Sequence, residues 1–151
     1  MRILQSLCVA TVLLGLLPAS IAAAQPDRIG QLRNVSGDAF VLRNDSRQPA
    51  VVGDIVQRED VIETGENGAV GITFDDNTVF STGPNSSVSL EEFNFNPTTL
   101  KGSFLAKLGK GTLSVISGDI ARGSPEAMRI RTPSAILGVR GTRFLVRVDE
   151  K

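Results

Sequence analysis

Short runs in which apolar and polar residues alternate cover most of the chain beyond residue 24, and helical periodicity is nearly absent. Gly, Asp, Asn and Pro interrupt these runs at intervals of about 8–12 residues, which is typical of short strands joined by turns. In residues 69–74, Val70, Ile72 and Phe74 occupy alternate positions, so they would share one buried face of a strand. The pattern predicts an all-β fold of short, mainly antiparallel or solenoid-like strands.

Further strands follow the same pattern toward the C-terminus. Residues 75–77 are Asp-Asp-Asn, which predicts a polar turn, and residues 78–82 return as a second strand. Residues 103–108 alternate again, and the Gly-Lys-Gly at 109–111 is expected to end that strand before the next one begins. Because most runs bury a single row of side chains, a flattened two-layer sandwich, a β-solenoid and a jelly-roll all remain open.

The last predicted strand covers residues 143–148. Phe144 and Val146 point to one side of it, and Arg143 and Arg147 point to the other. This arrangement indicates one buried and one solvated face.

Gly-Asp pairs occur at 37–38, 53–54 and 118–119. An internal repeat of this kind would favour a solenoid-like stack. We favour ordinary turn chemistry, because Gly and Asp are both common turn residues.

The first residues have the features of an export signal. Arg2 precedes a mostly apolar run over residues 3–17, Pro18 interrupts it, and small residues lead to Ala24. We therefore expect a cleavable signal peptide over residues 1–24 and one periplasmic or secreted all-β domain over residues 25–151. The alternative is an uncleaved N-terminal anchor.

The composition limits the chemistry that the chain can carry out. Its 151 residues include no His, Trp or Tyr, and the single Cys, Cys8, lies within the predicted signal peptide. Histidine bases, Cys/His metal sites and disulfides within the exported domain are therefore excluded. The remaining nucleophile candidate, Ser103 with Lys107, has the spacing of one strand face, but we interpret it as a solvated face. We expect no enzyme, no cofactor and no metal site.

Two groups of residues, in a fixed order, are similar to the FecR-type periplasmic domain. The first comprises Gly53-Asp54-Ile55, Ile62-Glu63-Thr64-Gly65, Gly68-Ala69-Val70, Ile72-Thr73-Phe74-Asp75-Asp76 and Ser87-Val88-Ser89-Leu90. The second comprises Arg131-Thr132-Pro133-Ser134-Ala135 and Gly138-Val139-Arg140-Gly141-Thr142-Arg143-Phe144. The resemblance covers roughly residues 28–148.

The resemblance implies an all-β, non-enzymatic periplasmic domain. In the founding members, this domain receives a signal from an outer-membrane transporter and relays it across the inner membrane to a sigma factor. We expect this chain to lack the anti-sigma domain and the membrane helix, so the relay is not carried over with the domain. The motif residues expected to be structural are Gly53, Asp54, Thr64, Gly65, Phe74, Asp76, Thr132, Pro133, Arg140, Gly141, Thr142 and Phe144.

Charge is divided unevenly along the chain. Residues 25–100 contain 5 basic and 12 acidic residues, whereas residues 101–151 contain 10 basic and 4 acidic ones. We favour halves that pack together and neutralise each other; the alternative is an arginine face that binds a partner. The candidate partner-binding residues are Arg129, Arg131, Arg140, Arg143 and Arg147. Arg140 is also a candidate for bracing the turn that precedes the last strand.

These features support two functional hypotheses. The leading one is an exported binding or regulatory module that recognises an envelope protein by pairing with an open strand edge. The chain ends at Lys151, soon after the second motif, so we expect such an edge to remain, and a homo-oligomer is a further use of it. The alternative is a carrier or anchor that binds an anionic lipid or glycan through the arginines. We expect no nucleic-acid partner, because no aromatic residues lie between the basic ones.

Overall fold

The computed structural model describes residues 27–141 and 143–149, so the expected signal peptide lies outside the described residues. Within this part, the chain is nearly all β, as predicted, with one short helix. The elements are β1 (Arg28–Ser36), β2 (Ala39–Arg43), β3 (Ser46–Pro49), β4 (Ile55–Gln57), β5 (Val61–Thr64), β6 (Ala69–Phe74), β7 (Val79–Thr82), β8 (Ser87–Asn96), β9 (Lys101–Ile116), α1 (Asp119–Gly123), β10 (Met128–Arg131), β11 (Ile136–Gly138) and β12 (Arg143–Val148).

The strands form one curled sheet. Nine of them follow the order β3-β2-β5-β8-β9-β7-β6-β1-β4, and β10, β11 and β12 are added beside this path. The pairs are antiparallel apart from β9 with β10. The flattened sandwich and the solenoid that the sequence left open both remain predictions.

Strand β9 connects the two parts of the sheet, which are β3-β2-β5-β8 on one side of it in the strand order and β7-β6-β1-β4 on the other. Its first half pairs with β8 on one edge and with β10 on the other. Its second half pairs with β7 and with β12 in the same way. One long strand therefore holds four others in register.

An irregular segment, residues 109–111, joins the two halves of β9: the register with β8 steps from Leu108 to Lys110 and skips Gly109. Phe104 and Leu108 in the first half are buried, and so are Leu113 and Val115 in the second, although the two pairs differ in parity along the chain. Gly111, two residues further on, has a φ of 86°, in the left-handed region that favours glycine. The expected strand break at 109–111 is therefore wrong: the extra residue changes which alternate positions face the core, but the strand continues.

The core lies between the two parts of the sheet. Phe74 and Phe80 come from β6 and β7, whereas Phe93 and Phe104 come from β8 and β9. Ring centroids are 4.7 Å apart for Phe74 and Phe104 and 5.9 Å apart for Phe74 and Phe93. The aromatic contacts thus fix how the sheet curls over a single hydrophobic core.

The alternating runs predicted several elements closely. The strand over residues 69–74 and the strand over residues 143–148 are confirmed as β6 and β12, and residues 75–77 connect β6 to β7. The short helix α1 was not predicted. No helix in the described ranges has both the length and the apolar character needed to cross a membrane.

The left-handed backbone of Gly111 leads to the first prediction. We expect Gly111→Ala to lower the free energy of unfolding by about 2–3 kcal/mol, because the left-handed conformation alone costs an L-residue roughly 1–2 kcal/mol. In addition, the new Cβ would collide with Oγ and Cα of Ser86. Urea denaturation measures the loss.

Gly109→Ala is the matched control, since its added Cβ would have no neighbour closer than 3.8 Å. Equal losses for the two variants would contradict the role assigned to Gly111.

Candidate functional site

The edges of the sheet are the candidate sites, and the edge at β4 is sealed by side chains. The carbonyl oxygen of Ile55 accepts a hydrogen bond from Arg43 Nη2 at 3.0 Å, and the Gln57 N–H donates to Asp60 Oδ2 at 2.8 Å. These side chains occupy backbone groups to which an added strand would otherwise bind.

Arg43 and Asp60 form a paired group at this edge. Arg43 Nε and Nη2 donate to the two carboxylate oxygens of Asp60 at 2.7 Å each, and the Asp60 side chain is fully buried. The hydrogen bond to Asp60 raises the pKa of Arg43 further above its ordinary value, although burial acts in the opposite direction. Arg43 ends β2, next to one end of the strand order, and its bond to the carbonyl of Ile55 connects it to β4 at the other end.

The strand at the other end of the order, β3, is short. It has four exposed residues and ends at Pro49, which has no N–H to donate. Arg47 lies over the Phe40 ring at 3.4 Å and within 3.5 Å of Glu63. This edge is therefore a poor template for pairing.

Strand β12 has an open edge. Among the described strands it pairs only with β9. The carbonyl of Thr112 accepts a hydrogen bond from Gly83 on the β7 side of β9, so Arg147, which lies opposite Thr112, directs its backbone groups away from β9. By alternation, the backbone groups of Arg143 and Leu145 also point to the open edge.

A groove runs beside this edge. It has a volume of about 860 Å³ and lies between β12 and the turn at 132–135. Its base is at Gly109 and Lys110, where β9 has passed the end of β10 and not yet reached β12. The groove is also lined by Glu63, Ser87, Thr132, Pro133, Ser134, Leu137, Val146, Arg147, Val148 and Asp149.

The five candidate arginines do not form one face. Arg143 and Arg147 share the exposed side of β12, and Arg129 is exposed on β10. Arg131 instead forms an ion pair with Glu91 at 2.8 Å, which joins the basic and acidic halves of the chain. Only Arg143 and Arg147 therefore combine exposure with an open strand edge.

The Arg140 side chain is exposed, and within the described part of the chain it makes no hydrogen bond or ion pair. The bracing interpretation of Arg140 is therefore wrong. The preceding turn is held instead by Ser117, whose hydroxyl donates to the carbonyl of Gly141.

The first motif lies in turns and buried positions. Asp54 Oδ2 accepts the Val51 N–H at 3.0 Å next to Gly53. The Thr64 hydroxyl donates to the Gly83 carbonyl at 2.7 Å, and the Gly65 N–H donates to the Asp38 carbonyl at 2.8 Å. These contacts connect strands and turns.

The Gly-Asp pairs do not occupy equivalent positions. Pairs 37–38 and 53–54 lie in turns or bends between strands, but 118–119 begins α1. Two of the three thus agree with turn chemistry, and together they form no structural repeat.

The second motif frames the groove and β12. The Thr132 hydroxyl accepts the Ala135 N–H at 3.0 Å, which closes the turn that contains Pro133. Phe144 is half-buried against the core. Thr142 lies outside the described residues.

Asp76 is the buried carboxylate of the β6–β7 turn. Its two oxygens accept hydrogen bonds from the N–H and the hydroxyl of Thr78 at 3.0 and 2.8 Å, and Oδ2 is 3.4 Å from the N–H of Ile120. Burial raises the pKa of Asp76, while the hydrogen bonds from Thr78 and Ile120 oppose the rise. The carboxylate therefore ties the turn to the start of α1.

Ser103, the candidate nucleophile, bonds to side chains other than that of Lys107. Ser103 donates to Glu92 and accepts from Asn94, and neither contact involves Lys107. In the described ranges, every buried side-chain nitrogen or oxygen has a hydrogen-bond partner, and no three acidic side chains are grouped to hold a metal.

A residue that the sequence did not single out is Leu145. Its side chain is 67% exposed between Arg143 and Arg147. The sequence did contain a signal for it: Leu145 is apolar but falls on the side of the strand where the alternation predicts polar residues.

Comparison with known proteins gives one match. A family model described as "FecR protein" matches residues 60–151, more than half of the chain. Searches of curated proteins and of solved structures found no match.

The buried Asp76 predicts a pH dependence. In the unfolded chain an Asp titrates near 3.8, and folding raises the pKa of Asp76. The folded state therefore binds more protons just above pH 3.8, so the contribution of Asp76 to stability is complete below that pH and is lost as the pH rises through its folded pKa. Relative to Asp76→Asn, the wild type should lose stability over this window, by at most about 1.4 kcal/mol per pH unit.

Urea denaturation of both proteins between pH 3 and pH 7 measures this difference. Asp45→Asn, which removes an exposed carboxylate, corrects for the change in net charge. A difference that grows in favour of the wild type with rising pH would contradict the prediction.

Proposed function

The chain belongs to the FecR family, and we propose that it is an exported, non-catalytic regulatory module that recognises a protein of the cell envelope through the open edge of β12. The family is a non-enzymatic regulatory family, and its match supports a regulatory or sensory module here. The single observation that carries the recognition step is the contrast between the open β12 edge and the sealed β4 edge.

Export and periplasmic location are part of the proposal. They are supported by the charged start, the apolar run and the small residues that end at Ala24. For this chain we propose the recognition step alone, without the relay of the founding members.

A flattened two-layer arrangement around the phenylalanine core belongs to the same proposal and is supported by ring contacts between the two parts of the sheet.

Site-specific cross-linking in an exporting host tests the recognition step. A photoreactive amino acid at Leu145 should yield an adduct of discrete mass with an envelope protein, because the exposed Leu145 side chain lies on the proposed contact strand. The same group at Gln48 on β3 is the control and should yield no such adduct. Mass spectrometry identifies the adducts; a protein that remains uncross-linked at Leu145, or one that reacts equally at Gln48, would contradict the proposal.

The second candidate function is binding of an anionic lipid or glycan. The observation that favours it is the exposure of Arg129, Arg140, Arg143 and Arg147 in one region of the sequence. Arginine suits this role because its planar group binds phosphate and carboxylate with two hydrogen bonds.

For this candidate, flotation with vesicles that contain anionic lipid measures binding. Each basic residue near an anionic surface contributes about 1 kcal/mol, so loss of two arginines in Arg143→Ala/Arg147→Ala should weaken binding about 30-fold. Binding should also fall as salt is added. Vesicle binding that is absent, or that is unchanged in the double variant, would reject this candidate.

A further inference from the structure

Strand β12 lacks the proline, the bulge and the inward-pointing charge that often protect a sheet edge. Its six residues, Arg143–Val148, contain no proline, and its register with β9 is continuous. Its arginines point outward, not toward the core. A long regular strand with free backbone groups is a template for another strand.

The two faces of β12 define what such a strand must carry. Arg143, Leu145 and Arg147 alternate on the exposed face. Phe144, Val146 and Val148 alternate on the other face and pack against the core. Residues directly opposite each other in paired strands have side chains on the same face and within contact distance.

We propose that β12 binds an extended segment of a partner protein as an added strand, in which two carboxylate residues four positions apart flank apolar residues. The carboxylates lie opposite Arg143 and Arg147, and an apolar side chain between them covers Leu145. The other face of the added strand presents apolar side chains beside Phe144 and Val146. This inference rests on the proposed function and specifies the partner that the same edge recognises.

A second copy of β12 does not meet this requirement. Antiparallel pairing centred on Leu145 places Arg143 of one copy opposite Arg147 of the other, and parallel pairing places each arginine opposite itself. Like charges directly opposite each other destabilise a strand pair. A shift of two residues relieves this only by placing Leu145 opposite an arginine, so the pattern favours a different, acidic strand.

The existing partner of Arg147 does not block the site. Arg147 Nε lies 2.7 Å from Asp149 Oδ1, but the two side chains are 74% and 77% exposed. Exposed ion pairs of this kind contribute little, so a carboxylate of the partner can replace Asp149.

The groove gives the added strand a place to continue. Val148 ends β12 at the groove, and Leu137 lines its other wall. Leu137 and its neighbour Ile136 are exposed apolar residues on β11. An apolar residue just beyond the carboxylate opposite Arg147 would cover them.

Peptide binding to the exported protein, measured by fluorescence anisotropy, tests the inference. The probe is a labelled peptide of sequence Thr-Glu-Val-Leu-Val-Glu-Thr, and its counterpart has Lys in place of both Glu residues. We expect saturable binding of the Glu peptide and at least about tenfold weaker binding of the Lys peptide, because each exposed charge pair changes sign.

Three variants separate edge pairing from simple charge attraction. The Arg143→Glu/Arg147→Glu variant should no longer bind the Glu peptide and should bind the Lys peptide instead. Leu145→Pro should lose the Glu peptide while keeping both arginines, because it removes an N–H on the open edge and leaves the groups that face β9. Arg33→Glu/Lys101→Glu should bind normally; both residues are exposed and make no ion pair in the described part of the chain. Circular dichroism and thermal melting confirm that each variant is folded.

The proposal is overturned if the Glu peptide does not bind at millimolar concentration, if the two peptides bind equally, or if the charge-reversed variant gains no Lys peptide. It is also overturned if Leu145→Pro binds the Glu peptide normally and the arginines instead control binding to vesicles that contain phosphatidylglycerol. If the peptide fails while the cross-link at Leu145 persists, the strand chemistry is wrong and the proposed function stands. If both fail, the proposed function fails as well.

Discussion

The requirement that one strand serve both parts of the sheet governs this structure. Strand β9 pairs with β8 and β10 along its first half and with β7 and β12 along its second. A regular strand of this length would present the wrong side chains to the core in one half. The register shift at Gly109, followed by the left-handed backbone of Gly111, corrects the phase, and the phenylalanine core, the groove and the position of β12 all depend on that correction.

The family motifs describe the frame and not the contact surface. Thr64, Gly65 and Asp76 satisfy backbone groups where strands turn, and Arg43 is held by Asp60 while it binds the carbonyl of Ile55 in the edge strand β4. A buried carboxylate that lost its partner would be strongly destabilising. These interactions close the edge at β4, whereas β12 has no second neighbour among the described strands.

The sequence predicts local elements well and long-range pairing poorly. Strands β6 and β12 follow directly from alternation, because one buried face produces that pattern. Continuity of β9 was missed, since the residues of a glycine bulge and those of a turn look alike in sequence. The ion-pair partner of Arg131 could not be predicted either, because Arg131 contacts Glu91 only when β8 and β10 flank the same half of β9. The open edge of β12, similarly, is visible only once the strand order is known.

The sealed end at Arg43 and Asp60 also sets the stoichiometry of any edge-based assembly. A sheet with two open ends can add copies at both and grow into a fibre. Here β3, β4 and the three-residue edge strand β11 are poor templates, so the proposed pairing at β12 is complete after a single addition. After one strand has paired with β12, no further copy is expected to add. Under the proposed edge pairing the bound state is a discrete one-to-one complex, which suits a switch that must be either occupied or empty.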